Sequence, residues 1–248
     1  MISPFQLELP NAAAAYAVHV TEVNELHSAV NAMGLRPPRA TVVVVGGAAG
    51  LDDADHASIR KLFVSGVVPV MEEHGAVGVD GGTRAGVMRL FGEARSVAAA
   101  TFPLVGVVAG GTVQLPGGRA TRQDAAVLDP NHTHFVIVPG DEWGAESPWI
   151  AETATVLAGR APSVTVLING GQIAYSDVER SVQAGRRVVV IAGSGRTADE
   201  FADALAGGAA NEQATAVAKS GLLHSVPADE PGGLAAWLNS ALGESATD

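Results

Sequence analysis

Short, uninterrupted apolar runs recur along this chain, each leading through a glycine-rich turn into a segment with helical period. The run Val188-Val189-Val190-Ile191 passes through Gly193-Ser194-Gly195-Arg196 into a helical pattern beginning Thr197-Ala198-Asp199-Glu200. A strand that is apolar at successive positions has both faces buried, the mark of a parallel strand covered by helices on either side. Residues 41–45, 76–79, 104–108, 135–138, 164–168 and 188–191 are such runs, and 222–226 reads as an edge strand. Between them, Ile59, Leu62, Phe63, Val67, Val70 and Met71 recur at helical spacing. Further helices are expected over 87–94, 149–157, 176–184 and 198–205, with a last one running through Trp237. Alternation of this kind specifies an α/β fold: a six- or seven-stranded, mostly parallel, doubly wound sheet with helices on both faces. Residues 110–132 interrupt it with a long connection that carries two Gly-Gly pairs and little periodicity.

Residues 1–39 read as an N-terminal extension that packs on the core or on a partner. Residues 5–9 alternate like a strand, 16–20 are a second, and Thr21 is the expected N-cap of a short helix ending at Gly34. Pro37-Pro38 separates this extension from a single domain over 40–243, and 244–248 are expected to be a disordered tail. A hydrophobic fraction of 47% suffices for a full core, and no stretch approaches the roughly 20 apolar residues of a membrane helix. The start Met1-Ile2-Ser3-Pro4-Phe5 is not a secretory signal. Zero cysteines exclude disulfides and thiolate chemistry and fit a cytoplasmic protein. The formal charge of −11 argues against nucleic acid or an anionic membrane as partner, but not against a small anion in a locally positive pocket. The Ala, Gly and Val content suits a GC-rich bacterial genome.

In an open parallel sheet, ligands bind beyond the carboxyl ends of the strands, where strand order reverses. The glycine turns lie at those ends. A helix N-terminus there offers unpaired N–H groups and a positive dipole to an anion. Three junctions qualify: Gly46-Gly47-Ala48-Ala49-Gly50, Gly81-Gly82-Thr83-Arg84, and Gly193-Ser194-Gly195-Arg196-Thr197. Arg196 adds a planar fork of donors suited to phosphate, with a surface pair to Glu200 as the alternative. Arg84 is a second, weaker cationic candidate. Neither a P-loop nor a G-x-G-x-x-G fingerprint is present. A phosphorylated ligand, in particular a nucleotide, is therefore expected.

Four blocks in order carry a resemblance: Asp80-Gly81-Gly82-Thr83-Arg84-Ala85-Gly86-Val87-Met88 with Gly92-Glu93-Ala94; 128–138, which reads Leu-Asp-Pro-Asn-His-Thr-His-Phe-Val-Ile-Val; Trp143-Gly144-Ala145-Glu146; and Gly193-Ser194-Gly195-Arg196-Thr197-Ala198-Asp199. With Val45-Gly46-Gly47 they span about residues 40–205. The segment resembles the SLOG superfamily, in its prokaryotic branch similar to the N-terminal cytosolic domain of melastatin-type TRP channels. The resemblance implies a Rossmann-like domain that senses a nucleotide-derived ligand, with ADP-ribose and its relatives foremost and no cofactor required. In ADP-ribose-binding channel members an aromatic before the Gly-x-Glu block stacks on adenine, and Trp143 matches it. Arg196 matches the arginine that contacts phosphate, and Gly82 and Thr83 match the turn lining the same pocket. Gly140, Gly144 and Glu146 fall in the implied crevice. A further arginine those members carry six residues past the glycine is Ile150 here.

Two other readings stand beside the sensor. The superfamily also contains phosphoribohydrolases that cleave an N-glycosidic bond of nucleoside monophosphates, with a Pro-Gly-Gly-x-Gly-Thr-x-x-Glu motif. The matching stretch here, Pro139-Gly140-Asp141-Glu142-Trp143-Gly144-Ala145-Glu146, departs at Asp141 and Ala145 and displaces the glutamate. That leaves Glu142 and Glu146 as weak catalytic candidates, with Glu146 equally readable as a carboxylate answering the helix dipole. The third reading is a structural oligomerisation module. The N-terminal segment and Leu234, Trp237, Leu238 and Leu242 of the last helix are expected dimer surfaces of a homo-oligomer, and an effector protein is a further expected partner. His132 and His134 are expected to hold their loop by hydrogen bonds rather than to bind metal, and Asp52, Asp53 and Asp55 to cap the first helix of the main domain.

Overall fold

The computed structural model describes residues 2–10, 14–48, 53–119 and 122–243. Expectations for Asp52, the Asp53 side chain, Ala49, Gly50 and 244–248 lie outside the described residues. In chain order the elements are β1 (Phe5–Glu8), β2 (Ala14–His19), α1 (Leu26–Ala32), β3 (Thr41–Gly46), α2 (Asp53–Leu62), α3 (Val68–Glu73), β4 (Val77–Asp80), α4 (Gly86–Val97), β5 (Leu104–Ala109), β6 (Val113–Gln114) and β7 (Ala126–Val127). Then follow β8 (His134–Val138), α5 (Ser147–Ala158), β9 (Ser163–Ile168), α6 (Gln172–Gln183), β10 (Arg187–Ala192), α7 (Arg196–Leu205), α8 (Glu212–Ala218), β11 (Leu223–Pro227) and α9 (Pro231–Gly243).

Among the described residues, nine strands form one sheet in the order β1-β2-β8-β5-β4-β3-β9-β10-β11, and β6 pairs with β7 in a two-stranded annex. All seven expected strands lie in the sheet, and every pairing among them is parallel. The count exceeds expectation because residues 1–39 also contribute: β2 pairs in parallel with β8, and β1 pairs antiparallel to β2. Thr21 does not cap α1. The chain enters through a 3-10 turn at Val23–Glu25, and the Glu25 carboxylate accepts the Thr21 and Glu22 N–H groups at 2.8 and 3.1 Å.

The sheet carries a helical layer on each face. One holds α1, α5, α6, α7 and α8, with Leu26, Leu157, Val178 and Phe201 against Val43, Val105, Val136 and Val190. The other holds α2, α3, α4 and α9, with Phe63, Met71, Phe91 and Leu238 against Val42, Val44, Val166 and Ile191. Alternate residues of each strand thus serve opposite cores, which is why the strands are apolar throughout. Leu234, Leu238 and Leu242, expected on a dimer surface, are instead 0%, 0% and 5% exposed within the second layer. Trp237 is half-buried between His224 and the Arg187 guanidinium.

A π-helical turn, Phe63–Val67, joins α2 to α3 just ahead of Pro69. Proline cannot donate to the helical ladder, and the wider turn accommodates that loss. At the same place Gly66 lets α9 approach: a Cβ there would lie 3.0 Å from the Pro231 carbonyl oxygen.

From β3 the chain winds one way through β4, β5 and β8, then returns to place β9 on the other side of β3. The helix after β3 lies in one layer and α6, after β9, lies in the other. The loops at the ends of β3 and β9 therefore part, opening a crevice between them.

Candidate functional site

That crevice is a cavity of about 520 Å³, within the range of about 300–1,000 Å³ typical of small-molecule sites. Its walls are mostly apolar, from Val44, Val45, Met88, Val108, Ile150 and Ile173. Of the expected site residues, Gly46, Gly47, Gly81, Thr83, Trp143, Glu146 and Arg196 line it. Gly46 must lack a side chain, because a Cβ there would overlap the Ile168 carbonyl oxygen of the adjoining strand.

Gly82, Arg84, Gly140, Gly144, Gly193, Ser194, Gly195 and Thr197 stand behind the lining. Gly82, at φ 62°, donates its N–H to Asp80 Oδ1 at 2.7 Å and lies against Gly106, where neither residue has room for a side chain. Arg84 is exposed, and its N–H bonds the Val127 carbonyl. Gly140 accepts a bond from the Gly111 N–H, and Gly144 donates to Glu146. Glu142 is exposed and outside the cavity wall.

The Gly193–Arg196 turn is largely occupied by the protein's own groups. The Gly193 N–H donates to Asp199 Oδ1 at 2.7 Å. Ser194 accepts the Asn169 N–H at 2.8 Å and donates to the Ile191 carbonyl at 2.6 Å, locking this turn to the one after β9. Thr197 Oγ1 donates to the Gly171 carbonyl at 3.0 Å. Arg196, at φ 54°, projects its side chain onto the Asn169-Gly170-Gly171 turn, where a Cβ on Gly171 would lie 2.7 Å from its guanidinium. Gly171 is the N-cap of α6 and supplies no side-chain cap. The Arg196 fork and the positive end of α6 thus converge on one spot of the cavity wall. Glu200, the alternative partner of Arg196, accepts bonds from Tyr175 and Asn211 through Oε2.

Trp143 stands at the rim, 39% exposed. Its indole N–H donates to Asp124 Oδ2 at 3.2 Å, and the Arg122 guanidinium lies 5.9 Å from the ring centre. Arg122 in turn pairs with Asp124 at 2.5 Å and bonds the Asp141 carbonyl. The irregular connection thus steadies the tryptophan in place.

Asp80, at the end of β4, is fixed from beneath. His132 is fully buried between two carboxylates, with Nε2 2.7 Å from Asp80 Oδ1 and Nδ1 2.9 Å from Asp129 Oδ2. With an acceptor at each ring nitrogen the imidazole carries both protons. Burial opposes its charge, but the aspartates outweigh it and push the pKa up to about 9. His132 therefore ties the 128–138 segment to the Gly81–Thr83 turn. His134 bonds Thr133 Oγ1 at 2.7 Å and stacks on Tyr16, and burial pulls its pKa down to about 4.

Two carboxyls face the cavity. Glu146 is the N-cap of α5, and its oxygens accept the Gly144 N–H at 3.0 and 3.3 Å. Burial raises its pKa. Asp177, within α6, shows sequence reading nothing unusual, yet it lines the wall too. Burial pushes it up to about 7; the Ser147 hydroxyl beside it pulls the other way, and the Glu146 charge adds to the rise. Gly171, Gln172, Ile173 and Asp177 are lining residues that sequence reasoning missed. The signal for Gly171 was present, since Asn169-Gly170-Gly171 is another strand–glycine–helix junction. No helix among the described residues is long and apolar enough to cross a membrane.

The solved structure of the molybdenum cofactor carrier protein of Chlamydomonas reinhardtii is similar in fold, with a TM-score of 0.55 at 16% identity over 83% of this chain and 99% of that one. Among sequences, the chain is 27% identical over 204 residues to the mouse transient receptor potential cation channel subfamily M member 2, and 26% over 208 residues to the rat protein. These alignments take in 68% and 70% of this chain but only 13% and 14% of the channels. A family model described as "SLOG in TRPM, prokaryote" matches residues 39–236. With the match spanning most of the sheet and every wall of the cavity, the chain belongs to the prokaryotic family of SLOG domains related to those of TRPM channels.

Proposed function

We propose that the cavity binds a phosphorylated, nucleotide-derived ligand such as ADP-ribose or a relative, and that the protein is a cytoplasmic sensor. The observation that carries this reading is the convergence of Arg196 with the N-terminus of α6 inside a mostly apolar cavity. A phosphate is the group that answers two positive poles at once. The apolar walls and the Trp143 ring at the rim suit a stacked base. The phosphate contact falls at the Gly171 turn rather than on the Gly193 N–H, which Asp199 already occupies. We infer that the signal passes on through a second copy of the chain or an effector protein.

Calorimetric titration with ADP-ribose, cyclic ADP-ribose, AMP and NAD tests the reading. Binding tighter than about 1 mM is expected for at least one, and Arg196→Ala should weaken it at least about tenfold. Failure of all four to bind overturns it; an Arg196→Ala protein of undiminished affinity removes Arg196 from the site. A second reading, hydrolysis of an N-glycosidic bond, draws on the carboxyls of Glu146 and Asp177 in the same cavity. Release of adenine from AMP would establish it, and intact AMP after prolonged incubation would dismiss it.

A further inference from the structure

Among the described residues lining the cavity, the charged ones are Arg196, Glu146 and Asp177. The cationic group and the acids are apart. Arg196 meets α6 at Gly171, and Asp177 lies six residues further along, about 9 Å down the helix axis. The acids form one locus: Glu146 precedes α5, Ser147 opens it, and Asp177 faces both from α6.

This locus is costly for the protein alone. Asp177 Oδ1 and Ser147 Oγ are buried side by side, and neither makes a well-formed hydrogen bond to a described residue. A buried polar atom left unpaired costs about 1–3 kcal/mol. Glu146 is held in place by its bond to Gly144 and adds a second acid where Asp177 is already disfavoured. A second phosphate would be repelled here. A neutral group with several hydroxyl donors would answer the carboxyl groups that line the cavity and bring no further negative charge.

We propose that Asp177, together with Glu146, forms a hydroxyl-recognition subsite that accepts hydrogen bonds from the vicinal hydroxyls of a ribosyl group. It rests on the nucleotide-binding reading above and narrows it: Arg196 and the α6 N-terminus hold a phosphate, and the sugar attached to that phosphate reaches the acids. A phosphoribosyl unit is the recognised element, and the cavity discriminates against ligands whose sugar lacks hydroxyls.

The test is calorimetry on the full chain with AMP and 2′,3′-dideoxy-AMP, with ADP-ribose in parallel, on wild type and Asp177→Asn. At pH 8, where Asp177 is ionised, wild type should prefer AMP over the dideoxy compound by at least about tenfold, as expected for hydrogen bonds to a charged acceptor. Asp177→Asn should bind dideoxy-AMP as wild type does and lose most of the preference for AMP. Retained dideoxy-AMP affinity also certifies that the variant is folded. A wild-type protein with no preference, an Asp177→Asn protein with the full preference, or binding of ADP-ribose without AMP overturns the subsite and leaves the binding reading intact. If no nucleotide binds wild type, both fall.

Discussion

Asp177→Asn should also change stability, and in a direction opposite to the usual expectation for an active-site substitution. The Asp177 carboxyl has its pKa pushed from 3.8 to about 7 because burial disfavours its charged form. The folded protein therefore holds this proton more tightly than the unfolded chain does. The sign follows: at pH below 3.8 the group is neutral in both states and costs nothing. As pH rises through the window from 3.8 to 7 the unfolded chain gains charge freely and the folded one resists, so stability falls. Above pH 7 the full cost is present. A rise of about three units corresponds to about 2–4 kcal/mol once relaxation around a residue at a cavity wall is allowed for. Asparagine has no proton to lose, so the variant should escape this slope. Urea denaturation of both proteins at pH 4, 6 and 8 reads the difference between them, from which the titration of all other groups cancels. The stability of the variant relative to wild type should increase by about 2–4 kcal/mol from pH 4 to pH 8. A difference that stays flat, or that shrinks as pH rises, would refute the claim that Asp177 is buried at the cost of its charge.

His132→Gln removes a buried imidazolium and leaves Asp80 and Asp129 facing one another; a loss of about 3–5 kcal/mol is expected in urea denaturation at pH 7. The same His132 pairing contributes fully below pH 6.5 and is lost as pH rises through about 9, a decline that the glutamine variant should lack. Gly92→Ala, in the interior of α4, would ordinarily stabilise a helix by about 1 kcal/mol, but its methyl group would overlap the Asp129 carboxylate. A net loss of about 1–3 kcal/mol is expected, and a raised melting temperature would contradict it.

Most of the sheet was legible because a parallel strand buried on both faces advertises itself locally. Val42, Val43, Val44 and Val45 need no knowledge of their neighbours to be read. The membership of β2 was not legible. Its exposure alternates along Ala14–His19, as in a strand with one wet face, and its pairing with β8 spans more than a hundred residues of sequence. The site divides in the same way. Glycine turns at strand ends are a local signal, and those at Gly46, Gly81 and Arg196 all reach the cavity wall. Asp177 sits between Ser176 and Val178 in a helix whose sequence gives a carboxylate there no distinction from a solvated one. Only the packing of α5 against α6 makes it an acid whose charge burial disfavours. The filling of the Gly193 turn by Asp199 was hidden for a related reason. An acidic residue in a first helical turn is ordinary, and the sequence does not say whether it leaves room for another anion.

The parting of the loops after β3 and β9 has a mechanical consequence. The helices on the two faces of the sheet meet one another mainly through the strands between them. The cleft is lined by Met88 of one layer and Asp177 of the other, so a molecule bound as proposed would touch both. It would act as a rivet through the laminate, resisting any sliding of one helical sheath over the other. Occupancy of the cleft would then be felt as stiffness at the far ends of α4 and α6, well away from any atom of the ligand.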